Sequence, residues 1–151
     1  MRVVLTTHST FPDSLGGREK HIYYLAKALS NHGVEVEIFT CSNSLFKRSH
    51  SSEENFIIRK FPTVKIPVLG TYYRIPINMF NEILSSDIDI IHAHDLHHFT
   101  TYISSLASEI SSLPLVVTEH GYPEQQGITR YIMQIYEKTI LPKIVNSAEK
   151  I

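Results

Sequence analysis

Gly16 and Gly17 stand between a short β-branched apolar run at residues 1–7 and a stretch with apolar residues at Ile22, Leu25, Ala26 and Leu29. The first pattern predicts a strand buried on both faces, and the second, at i, i+3, i+4 and i+7, an amphipathic helix. Two glycines at such a turn let backbone N–H groups approach an anion, and the helix start adds orphan donors and a positive dipole end. Phosphate binding is the chemistry this would serve. A plain strand-to-helix turn needing φ > 0 is the alternative, and the pair alone does not choose between them.

Two further blocks carry reactive side chains. His92, His94, Asp95, His97 and His98 offer imidazole and carboxylate groups suited to zinc or iron. Their order puts the Asp one place early for the His-x-His-x-Asp-His pattern of metallo-β-lactamase-type hydrolases. Asp95 is also an N-cap candidate for the helix that follows, with His97 and His98 as exposed helix-start residues. The third block is Glu119-His120-Gly121. A Gly-x-Ser-x-Gly elbow and a Gly-x-Gly-x-x-Gly fingerprint are both missing, which disfavours serine hydrolysis and hydride transfer.

The elements that must position these blocks alternate between strand and helix. Residues 34–40 alternate into a second strand after Gly33, a C′ glycine. Residues 42–55 are polar, serine-rich and without helical period, so they are expected to form a loop. A third strand is predicted at 56–61, and Pro62, Pro67 and Gly70 then break the pattern, leaving Tyr72, Tyr73 and Arg74 in an irregular segment. A helix at 77–85, a strand at 88–92, a helix at 99–111, a strand at 115–118 and a helix from about 129 to 145 follow. Alternation of this kind predicts an α/β, Rossmann-like doubly wound fold with a mainly parallel sheet. In the strand order 3-2-1-4-5, strands one, four and five are neighbours, and the three blocks meet outside their carboxyl ends.

Composition narrows the classes. At 151 residues, the chain is one ordinary domain that can bury roughly 70% of its unfolded surface. A formal net charge of −1 with 19% charged residues argues against a basic nucleic-acid binder. The single Cys41 excludes an intrachain disulfide framework and fits a reducing compartment. Neither a signal-peptide core nor a run of ~20 apolar residues is present, so a cytoplasmic location is expected.

Residues 15–29, 89–95 and 116–121, with their Gly-Gly-x-Glu-x-His run, together resemble glycosyltransferase family 4, retaining enzymes of the GT-B fold. The resemblance covers nearly the whole chain and implies the N-terminal, mainly acceptor-binding half of that fold. It implies that Gly16 and Gly17 approach the diphosphate of a nucleotide-diphosphate sugar, and that His120 approaches the transferred sugar and the attacking hydroxyl. His94, Asp95, Glu119, Tyr72 and Arg74 are then the acceptor or sugar contacts; by residue type Arg18, Arg59 and Arg130 can also meet anionic groups, with a solvated surface position as the alternative for each. The implied partners are the nucleotide sugar, a hydroxyl acceptor and a C-terminal donor-binding domain, with neither metal nor nucleic acid. Peripheral contact with the cytoplasmic membrane face is a further setting found among relatives.

Nothing in the sequence matches the family's second domain with its pair of glutamates, and residues 144–151 fall where the family begins another strand. The expectation is therefore a truncated domain, inactive alone, with an apolar rim prone to self-association. Two other classes stay open: a metal-dependent hydrolase built on His92, His94, Asp95, His97 and His98, and a non-catalytic Rossmann-like binding module.

Overall fold

A computed structural model describes residues 1–53, 55–68, 71–121 and 128–150, without the side chains at 68, 71, 72, 128 and 129. Its main sheet has six strands, in the order β3 (Ser49–Ser52), β4 (Ile57–Phe61), β2 (Glu35–Cys41), β1 (Arg2–Thr7), β7 (Ile90–His94) and β8 (Leu115–Thr118). Of these, β1, β2, β4, β7 and β8 run parallel. The order reverses between β1 and β7, so the crevice outside their carboxyl ends is the topological switch point.

The two faces of β1 explain why its sequence is continuously apolar. Val3 and Leu5 pack with Ile22 and Ala26 of α1 (Gly17–Asn31) and with Val36 and Ile38 of β2. Val4 joins the opposite cluster, built on Phe39, Phe61, Ile91, Leu115 and Val117. That face is covered by α2 (Met79–Ser85), α3 (Phe99–Ser111) and α5 (Leu141–Ser147) through Met79, Ile83, Ile103, Ala107 and Ile144. Side chains of a strand alternate between faces, and with helices on both sides each position is buried. The expected doubly wound fold is thus the observed one.

Three segments differ from expectation. Ser49–Ser52, inside the expected loop, forms β3, paired antiparallel with β4 at the sheet edge. An edge strand needs only backbone hydrogen bonds, so its serines carry no apolar alternation to read. The segment expected to be irregular forms an antiparallel hairpin, β5 (Thr63–Val68) and β6 (Thr71–Pro76). Pro67 and Pro76 are tolerated because both strands of a two-stranded sheet are edges. The final helix is divided into α4 (Ile128–Thr139) and α5, with Pro142 in the first turn of α5, where its missing N–H costs little. Beyond α5 the chain returns to the sheet, where the Glu149 N–H donates to Leu115 O and the Val117 N–H to Lys150 O.

Candidate functional site

Arg18, the second residue of α1, ties the ends of β1 and β7 to the helix start. One guanidinium nitrogen donates to Asp95 Oδ2 at 2.7 Å and lies 3.1 Å from His98 Nε2. The other donates to Glu19 Oε1 at 2.6 Å and lies 3.2 Å from His8 Nε2. Glu19 also accepts from Ser9 Oγ at 2.7 Å. Burial would raise the Glu19 carboxyl, but the hydrogen bonds from Arg18 and Ser9 outweigh it and hold the group at about 2. Asp95 behaves alike: burial opposes its charge, and His98 and Arg18 keep it well below the usual carboxylate range.

The two glycines have different reasons to be glycine. Gly16 is the N-cap, with φ −65° and ψ 163°, so no left-handed backbone requires it. A Cβ there would overlap the Glu19 carboxylate tucked beneath the helix start. At Gly17 a Cβ would meet open space. Lys20 N–H to Gly16 O is the first intrahelical bond, leaving the amides of Gly17 and Arg18 without an intrahelical acceptor. The turn therefore presents donors on its Gly17 side, while the Gly16 side is filled by the protein's own carboxylate.

Across the sheet, β7 and the end of β8 build a row of imidazoles. His92 stacks on His94 with ring centroids 4.4 Å apart, and His94 stacks on His120 at 5.3 Å. His94 Nδ1 and His120 Nε2 share a hydrogen bond of 3.0 Å, and His21 of α1 meets the His120 ring edge-on at 5.0 Å. β7 begins two residues later than the expected 88–92, which puts His94 inside the strand and fully buried. Burial, followed by the neighbouring imidazoles, lowers His94 to about 2 and His92 to about 4. His120 is lowered chiefly by burial as well. The row is neutral near pH 7, so it can share or orient a hydrogen bond but brings no charge.

Other expectations are corrected by this geometry. Asp95 is not the N-cap of α3, because its backbone is left-handed (φ 67°) and its carboxylate turns to Arg18; His98 takes the cap position instead. His97 is buried, not exposed, and its ring faces Tyr136 at 5.9 Å. The five-residue metal set is therefore split three ways. Asp95 and His98 belong to the Arg18 group, His92 and His94 to the imidazole row, and His97 to the α4 side. His8, Asp95 and His98 do bring one ligand atom each within 4.8 Å of the others. The Arg18 guanidinium contacts all three, so a cation already fills the place a metal would take.

Glu119 braces the loops: Oε2 accepts from Leu96 N–H at 2.8 Å and Oε1 from Gly121 N–H at 3.0 Å. Gly121 has φ 140°, a conformation that favours glycine. Arg74 reaches from β6 to His8 O and Asn43 Oδ1. It closes one side of a cleft of about 390 Å³ whose walls include His8, Ser9, Arg18 and Asn43. Tyr72 lies among the side chains outside the described set. Ser9 and Asn43 were not legible as site residues, and Glu19 and His21 were visible only as the Glu and His of the Gly-Gly-x-Glu-x-His run, with no role attached to them.

The description Glycosyltransferase Family 4 matches residues 15–151, from the Gly16-Gly17 turn through the imidazole row and beyond. The chain belongs to glycosyltransferase family 4. No curated protein sequence matches it. Among solved structures, sucrose-phosphate synthase from Thermosynechococcus elongatus aligns with a TM-score of 0.52 at 14% identity, over 97% of this chain and 38% of that one. MurG of Acinetobacter baumannii aligns with a TM-score of 0.57 at 12% identity, over 98% of this chain and 39% of that one. The family 4 chain thus spans about two fifths of the length of these structures, and their likeness shows a shared GT-B half-fold. No helix among its described residues is long and apolar enough to cross a membrane.

Proposed function

We propose that this domain is the acceptor side of a retaining glycosyltransferase that moves a sugar from a nucleotide-diphosphate donor to a hydroxyl acceptor. The observation carrying this reading is the meeting of an open helix start at Gly17 with the His94–His120 pair across the β1/β7 switch point, in a chain of family 4. Departure of the sugar leaves charge on the diphosphate. The free amides of Gly17 and Arg18 and the dipole of α1 stabilise that charge as it develops. His120, held by His94 and neutral, donates or accepts a hydrogen bond at the transferred sugar and helps to hold the attacking hydroxyl in line. A C-terminal domain supplies the donor's nucleotide pocket, and the chemistry needs no metal in this half.

Inorganic pyrophosphate is a direct probe of the leaving-group side. In the 15N-labelled chain it should move the Gly17 and Arg18 amides. Gly17→Val, whose side chain enters open space and leaves the Glu19 contact intact, should abolish that shift with the fold retained by circular dichroism. Unmoved amides in the wild-type chain, or a variant that responds as the wild type does, would remove this turn from the mechanism.

A further inference from the structure

We propose that the cleft beneath the β5–β6 hairpin is a subsite for an anionic group, phosphate or carboxylate, carried by the acceptor. This rests on the acceptor-side reading above and adds to it the chemical class of the acceptor. The first observation is an unmatched cation. Arg2 pairs with Glu35, Arg18 with Glu19 and Asp95, Arg48 with Glu82, and Arg59 with Glu37 and Glu82. Arg74 meets only neutral oxygens among the described residues, His8 O at 3.3 Å and Asn43 Oδ1 at 3.1 Å. The carboxylates bordering the same cleft are taken elsewhere: Asp13 by Lys60 at 2.6 Å, and Glu19 by Arg18 and Ser9. A guanidinium fixed by two neutral acceptors keeps further N–H donors in a planar fork suited to a carboxylate or phosphate.

The second observation is that residues lining the same cleft carry further donors. Because Asn43 gives its oxygen to Arg74, its amide NH2 remains a donor. His8 Nε2 lies 3.2 Å from an Arg18 nitrogen that can only donate, so Nε2 accepts and the ring proton sits on Nδ1. His8 Nδ1 is buried and has no hydrogen-bond partner among the described residues. A buried N–H left unmet is rare in folded proteins, and here it belongs to a residue of the cleft that Arg74 and Asn43 border. Burial, with His98, Arg18 and Arg74 nearby, lowers His8 to about 2, so it stays a neutral donor. The volume of about 390 Å³ falls within the range of small-molecule sites.

The test titrates the 15N-labelled chain with hexose 6-phosphate, hexuronate and the neutral hexose, following Arg74 Nε–H, the Asn43 amide and the His8 ring. The anionic sugars should bind at least about tenfold tighter than the neutral one, through charge-assisted bonds at these three groups. Arg74→Gln should erase that advantage and Arg74→Lys keep part of it. Asn43→Asp, which places a carboxylate against Arg74, should erase it with the arginine still present. Phosphatidylinositol vesicles that move the same three signals when the soluble sugars do not would assign the anion to a lipid headgroup. Equal affinity for neutral and anionic sugars, or an advantage that survives Arg74→Gln, overturns the subsite and leaves the acceptor-side reading standing. Failure of every sugar and of the vesicles overturns the subsite too. Loss of the pyrophosphate response at Gly17 in the wild-type chain is a separate result that sinks the parent reading.

Discussion

Arg18 is the side chain on which the crevice depends, because removing it leaves Glu19 and Asp95 buried with a single guanidinium's worth of charge missing. Arg18→Met should destabilise the fold by about 2–4 kcal/mol, below the full value for a broken buried pair because Arg18 is 24% exposed and solvent screens part of the loss. The loss should shrink in acid, where the carboxylates take up protons, and Arg18→Lys should restore only part of it, since an ammonium cannot fork between two carboxylates. Urea denaturation of the three proteins checks this, and an unchanged midpoint in Arg18→Met would contradict it. Little of this was legible beforehand. Arg18 could be marked as a cation near a helix start, but apart from the adjacent Glu19 its main partners are His8, Asp95 and His98, and no local pattern pairs positions so far apart.

The parallel strands and the main helices were legible because each buries a periodic apolar face. α3 and β8 match the expected 99–111 and 115–118. The hairpin β5–β6 and edge strand β3 were not, since their pairing rests on backbone groups and places few side chains in the core. The same contrast predicts where mutations hurt. Phe39 of β2 is fully buried against Phe61, with ring centroids 5.1 Å apart. Phe39→Ala should cost about 3–5 kcal/mol, a large share of a typical domain's about 5–15 kcal/mol. Ser51→Ala on the edge strand should cost under about 0.5 kcal/mol. Equilibrium unfolding of both variants is the measurement, and comparable losses would mean that β3 is as integral to the core as β2.

For the molecule as a whole, the crevice sets the response to pH. His8 and His94 fall to about 2 and His92 to about 4, from an ordinary 6.5, each chiefly through burial. The unfolded chain therefore binds more protons than the folded one below about pH 6.5, and the stability these groups allow is complete above that pH and lost as it falls. Glu19, held at about 2 against an ordinary 4.5, adds a second loss as pH falls from about 4.5 towards 2. The urea midpoint should thus decline from about pH 7.5 to about pH 4, and His94→Asn should flatten the upper part of the decline. A profile level across that window would show that the imidazoles are hydrated in the folded state.

The sequence by itself determined the layered α/β fold, the strand order around β1 and the meeting of Gly16-Gly17 with His94, Asp95 and His120 at one crevice. Periodicity, β-branched runs and turn residues act over a few positions, and right-handed crossovers then leave few topologies. Tertiary structure alone decided what each group does there. It gave Gly16 to the Glu19 carboxylate and Gly17 to open space, dispersed the five residues of the metal reading, and left Arg74 without a carboxylate above a donor-lined cleft. Those outcomes depend on which burial, charge and hydrogen-bond partners distant segments bring within about 3 Å of each other, and that is settled only when the chain is packed.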